Sequence, residues 1–139
     1  MIFDDVTNYY FWSVLTAWLI SSLIKMIIFS SKKKKPDILS GFNNGGMPSS
    51  HAALMGAITF ALLLEQGLSH TFFLSFVIST LILRDAVTVR REVGLIGEKL
   101  NELLKDKKEK IKVVYGHTLP QVIVGLLIGI LSSTIFYII

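Results

Sequence analysis

The chain has 139 residues, 52% of them hydrophobic, a mean hydropathy of +0.61 and a formal net charge of +4. That apolarity places it in a bilayer rather than in water. There is no cysteine, which excludes disulfides and thiolate chemistry and leaves the redox compartment unread.

The N-terminus is acidic (Asp4, Asp5) and no small-residue cleavage site follows the first apolar run, so a cleaved signal peptide is not expected. Apolar runs of about 18 or more residues read as bilayer spans. Four stretches are read so: roughly Tyr9 to Phe29, Pro48 to Leu64, His70 to Val89 and Leu119 to Ile139. The second is the shortest and suits a tilted or re-entrant element. Only Lys25, Arg84 and Asp85 break these runs with charge, each near an expected span end. Nothing alternates with the period of two that a barrel needs, so the spans are expected to be helices. Between the third and fourth, "REVGLIGEKLNELLKDKKEK" sets Leu95, Ile96, Leu100, Leu103 and Leu104 at near-helical spacing opposite a charged face. This predicts an amphipathic helix at the interface, or an extension of the third span. No internal repeat is present. The expected architecture is a single all-α membrane domain over residues 1–139, four transmembrane helices in a bundle plus that interfacial helix.

All 14 lysines and arginines lie at or after the end of the first span (Lys25, Lys32 to Lys35) or of the third (Arg84 to Lys112). The positive-inside rule then puts both basic loops in the cytoplasm and both termini outside, in a multi-pass protein of the cell membrane. Topology and attraction to anionic lipid suffice to explain Lys32 to Lys35 and Lys105 to Lys112. Nucleic-acid binding is not expected, because the basic charge is juxtamembrane.

On this topology all four spans bring a polar group to one face. Lys25 ends the first span, and "GGMPSSH" places Pro48, Ser49, Ser50 and His51 at the start of the second. Arg84 and Asp85 end the third, with Arg90 and Arg91 just beyond, and His117 opens the fourth. Ionisable groups inside spans are costly and usually functional. The set suits phosphate. Gly45 and Gly46 permit close backbone approach, and Pro48 suits the first helical position. Ser49 and Ser50 then fall in the first turn, where free N–H groups attract an anion. Arginine and lysine bind phosphate oxygens. Two histidines can divide the work of attacking phosphorus and protonating the leaving oxygen. Each residue alone has a plainer explanation: a serine cap, an interfacial ring, a snorkelling lysine, a neutralising Arg84–Asp85 pair. Together on one face they read as a site. His70, alone at the opposite end of the third span, reads as an outer-interface residue.

"GGMPSSHAA", "RDAVTVRR" and "GHTLPQV" together resemble the divergent branch of the type 2 phosphatidic acid phosphatase superfamily, which also includes vanadium haloperoxidases. The resemblance runs from about Lys25 to the C-terminus. It implies a metal-independent lipid phosphatase with no cofactor. It also implies His117 as the nucleophile that becomes a phosphohistidine, His51 as general acid, and Ser49 with the backbone near Ser50 as phosphate holders. The chain departs from the superfamily's signatures. Lys25 is followed after six residues by Lys32 rather than arginine, and glycine of the second motif is Ser50. In the third, Ile111 stands where arginine is expected and Gln121 where an acid is expected. Gln121 can orient the His117 ring but brings no charge. Asp85 is a candidate for the missing carboxylate, and Arg90 or Arg91 for the missing arginine. Lys25, Ser49, Ser50, Arg84, Arg90 and Arg91 are the candidate phosphate ligands.

The reading is therefore a phosphatase acting on a lipid phosphate or diphosphate, such as phosphatidylglycerol phosphate or phosphatidate, at the cytoplasmic face. Its partners are that lipid, the surrounding membrane lipids and, since four short helices offer little closed surface, a second copy in a homo-oligomer. The rivals are a non-catalytic lipid-binding or transport protein on the same scaffold, which Gln121 favours, and a small structural membrane subunit, which leaves "GGMPSSH" without a reason.

Overall fold

The structure, a computed structural model, describes residues 3–33, 46–104, 110–111 and 113–139. Expectations that fall on Lys34, Lys35, Gly45, Lys105 to Lys108 and Lys112 lie outside these residues. Among those described there is no strand. The chain forms α1 (Phe3–Lys33), α2 (Ser50–Gln66), α3 (His70–Val87), α4 (Val89–Leu103) and α5 (Leu119–Ile138). Among the described residues three stretches are long and apolar enough to cross a membrane: Asn8–Lys32, His70–Leu103 and Leu119–Ile138. The expected second span, α2, has 17 residues and is not among them.

Several boundaries differ from expectation, two of them at the candidate site. The first helix does not stop near Phe29 but continues to Lys33, so Lys25 sits two turns inside it rather than at its end. Pro48 is not the first residue of α2. Ser49 takes the N-cap instead, its hydroxyl accepting the Ala52 N–H at 3.3 Å, and the helix begins at Ser50. Pro48, joined to Met47 by a cis peptide bond, lies just outside.

Small residues decide which helices pack. α5 brings Gly125 and Gly129 against Ala52, Ala53, Gly56 and Ala57 of α2. A Cβ on Gly129 would run into the Ala53 carbonyl oxygen and the Ala57 nitrogen, and one on Gly56 would lie 3.0 Å from the Leu126 oxygen. Close backbone approach through glycine and alanine is how helices associate in lipid, where burial of apolar side chains gains nothing over lipid itself. α1 lays Ser13, Ala17, Ser21 and Lys25, one turn apart each, into the angle between α2 and α5. α2 and α5 begin at the same end of the bundle, and α1 and α3 end there.

α3 leans on α2 and hardly meets α5; α4 packs on no helix but α3. α3 buries only Ser79 and Ala86. Phe73, Leu74, Phe76, Val77, Ile78 and Leu81 face outward, as expected of a helix bathed in lipid. The predicted amphipathic helix exists as α4, separated from α3 at Thr88 alone. Its glycine face, Gly94 and Gly97, is covered by the returning segment around Ile111, Val113 and Tyr115. That segment is clasped to α4 by reciprocal hydrogen bonds: Asn101 Nδ2 donates to the Ile111 oxygen at 2.8 Å, and the Ile111 N–H donates to Asn101 Oδ1 at 2.9 Å. Ile96, Leu100 and Leu103 remain exposed on the other face.

Candidate active site

His51 stands in the first turn of α2 and His117 two residues before α5. Although 66 positions apart in the chain, their ring centroids lie 6.1 Å apart at an interplanar angle of 63°. Both line a cavity of about 240 Å³ together with Arg90, Tyr115 and Gly116. The α2–α5 crossing makes this encounter: the glycines that let the two backbones touch also bring the two helix starts together, and the Ser49 N–H donates to the Gln121 carbonyl across the seam at 3.0 Å.

His117 is buried, 3% exposed, and held from two sides. Its backbone N–H donates to the Ala86 carbonyl at 2.9 Å, tying it to the end of α3. Its Nδ1 lies 3.2 Å from Gln121 Oε1. That amide oxygen also accepts the Thr118 N–H at 3.1 Å, one half of a capping box that starts α5. A backbone N–H can only donate, so the atom facing it is the amide oxygen, and that oxygen can only accept. Nδ1 must therefore carry the proton, and the ring also hydrogen-bonds the Gly46 backbone. Burial, with the Lys25 and His51 charges, moves the ring below the ordinary histidine range, and the Gln121 hydrogen bond opposes this.

Lys25 is 3% exposed, so it does not snorkel. Its Nζ donates to Ser50 Oγ at 3.1 Å. A hydroxyl that accepts from an ammonium keeps its own proton free to give, which suits Ser50 to an anion between Lys25 and the histidines. Ser49 is engaged differently. Fully buried, it spends its hydroxyl on the cap and its N–H on Gln121, so the free first-turn N–H expected there is already bonded.

The charged residues at the α3–α4 joint are less gathered. Arg90 lines the cavity, but its Nε also donates to Asp85 Oδ2 at 3.0 Å, and both side chains are about half exposed. Such a surface pair stabilises by only about 0–1 kcal/mol. The carboxylate's hydrogen bond among the described residues is with Arg90; the partner of His117 Nδ1 is Gln121. Arg84 and Arg91 are exposed and line neither the histidine cavity nor a bond to it. His70 lies at the opposite end of α3, exposed. Among the described residues no three His, Asp or Glu side chains group as metal ligands.

Two residues escaped the sequence reading. Gly116 is wedged so tightly that a Cβ would lie 2.5 Å from the Ala86 oxygen and 2.6 Å from the Arg91 nitrogen. It lets the chain pass the α3–α4 joint and deliver His117. Its signal was the glycine directly before the histidine. Tyr115 walls the cavity, and nothing in its spacing announces it.

Comparison with known proteins supplies a lineage for this geometry. The chain is 30% identical, over 149 aligned positions covering 94% of each sequence, to the uncharacterized membrane protein YuiD of Bacillus subtilis (strain 168). No solved structure matches. Residues 6–132, from α1 well into α5, match the model of the Divergent PAP2 family, and the chain belongs to that family.

Proposed function

We propose that the chain is a membrane-embedded, metal-independent phosphatase of a lipid phosphate or diphosphate, working through a phosphohistidine at His117. The observation that carries the reading is the meeting of His51 and His117 at a shared cavity, with the His117 ring oriented through Nδ1 by Gln121. In this reading Nε2 attacks phosphorus while Lys25, Ser50 and Arg90 hold the phosphoryl oxygens. His51 gives its proton to the departing alkoxide, then takes one from the water that hydrolyses the P–N bond. A well-placed acid or base of this kind contributes about 10²–10⁴-fold. Gln121 fixes the ring, and the roles of Asp85, Arg84 and Arg91 reduce to shaping the field around the cavity.

The basic residues after α1 and α3 support a cytoplasmic site with both termini outside, and α2 as a fourth, short membrane element. The exposed apolar face of α4 suits a helix lying at that interface. A cytoplasmic site favours lipids made on that side, such as phosphatidylglycerol phosphate or phosphatidate. A single domain and a homo-oligomer complete the reading.

A second reading is favoured by one specific observation. The residue beside His117 is a neutral amide, and the nearby carboxylate of Asp85 is paired elsewhere, so an imidazolium forming at His117 gains no counter-charge. On that ground the chain is a lipid-phosphate binder with weak or no turnover. Phosphate release from a panel of lipid phosphates, by protein purified in detergent with chelator present, separates the two. The phosphatase reading expects release that His117→Ala abolishes; a folded protein that releases nothing leaves the binder.

A further inference from the structure

A second cavity, of about 390 Å³, lies between α2, α3 and α5. It exists because α3 leans on α2 without closing on α5. Gly56 and Leu126 form its floor, and Phe60, Phe76, Leu83 and Ile130 are among its walls. Its inner end is set by Met55, one turn along α2 from His51, and by Leu83, one turn before the Ala86 carbonyl that holds His117. Its other end is at Leu63, so along α2 it runs about 12 Å at 1.5 Å per residue.

The hydroxyls on this lining are already used. Thr59 Oγ1 lies 2.8 Å from both Ser75 Oγ and Ser79 Oγ, which pins α3 to α2, and Thr80 Oγ1 donates to the Phe76 oxygen of its own helix. A polar ligand would find no partner there; a hydrocarbon needs none. Within a bilayer an apolar groove gains little from burying a lipid chain, since lipid is as apolar as leucine. What it supplies is register: a chain laid in the groove fixes where its headgroup sits.

We propose that this groove holds a hydrocarbon chain of the phosphorylated lipid whose headgroup is bound between His51 and His117. The inference rests on the lipid-phosphate reading of that site and deepens it. The substrate class is a phosphate ester with a chain that extends at least about 12 Å from the headgroup, rather than a soluble phosphate ester.

The test uses the full chain in nanodiscs and a phosphatidate carrying a photoactivated diazirine midway along one acyl chain, with adducts mapped by mass spectrometry. The proposal expects adducts on Phe60, Leu83 and Ile130. They should be lost when the matching diacylglycerol probe, without phosphate, is used. They should also be lost in Thr80→Trp, which fills the groove, and be kept in Leu81→Trp, which faces outward on the same helix. Adducts spread over the outer face of α3, or equal with both probes, would overturn it, and this mapping on the unsubstituted chain decides even where Thr80→Trp does not fold. Phosphate release is read in parallel. Groove adducts without release keep the groove and sink the phosphatase. Release with adducts elsewhere keeps the phosphatase and sinks the groove.

Discussion

The same three helices, α1, α2 and α5, carry polar residues at both ends of their seam, and the two ends use them differently. At the far end, Ser132 donates to the Ser13 carbonyl at 2.8 Å and Ser133 to the Ala57 carbonyl at 2.7 Å, while the Tyr9 hydroxyl reaches the Ser133 oxygen. Ser132 and Ser133 are neutral groups tying helix to helix, with their hydroxyls spent on backbone, while the Ser13 hydroxyl is buried without a partner among the described residues. At the near end, three ionisable groups, Lys25, His51 and His117, gather around Ser50, whose hydroxyl accepts from Lys25 and keeps its own proton to give. A polar residue in a span acts as glue when its bonding is used up, and as a candidate site when ionisable groups meet with bonding to spare.

The comparison can be broken or sharpened by substitution. The largest effect is expected where both ends depend on one contact. Gly129→Leu would drive a side chain into the α2 backbone and is expected to destabilise by about 3 kcal/mol or more, seen as loss of a monodisperse folded species in detergent. At the near end, His51→Ala is expected to lower kcat by about 10²–10⁴-fold with little change in unfolding temperature, because the ring sits in a cavity and not in the seam.

Gln121→Glu should move a pH profile. The native His117 ring holds its proton less tightly than an ordinary histidine, for burial disfavours the imidazolium. Unfolding therefore takes up a proton on the acid side of the ordinary histidine value, and wild-type stability falls as pH is lowered through that range. A carboxylate at position 121 would favour the imidazolium and raise the ring's pKa, shifting the acid limb of kcat/KM to higher pH. An unmoved limb would mean that the titrating group is not His117. The smallest effect belongs to the far end: Ser133→Ala is expected to cost about 0.6–1 kcal/mol in thermal unfolding and to leave kcat unchanged.

The helices themselves were mostly legible. Hydropathy located α5 to within a residue and α3 to within two, since an apolar stretch in lipid needs little else. What hydropathy did not give was burial. α3 is as apolar as the helices of the core yet faces outward, because packing in lipid follows glycine, alanine and serine rather than leucine. The meeting of His51 and His117 was legible through the paired motifs, not through spacing, as it depends on the crossing of α2 and α5. Asp85 looked like a partner for His117 because both end up at the same depth. The turn at Thr88 instead aims it at Arg90, five residues on. Gln121 was legible as a replaced acid that can still orient the ring. Its second duty, capping α5 through Thr118, is what fixes the direction of its amide and with it the histidine tautomer.

The most direct test of the central claim is to trap the intermediate: incubate the purified protein with a lipid phosphate, quench rapidly at alkaline pH, and locate the phosphoryl group by mass spectrometry. The account predicts a phosphate on His117, absent from His117→Ala. Lipid dephosphorylation with no phosphate ever on His117, or with the phosphate on another residue, would contradict it.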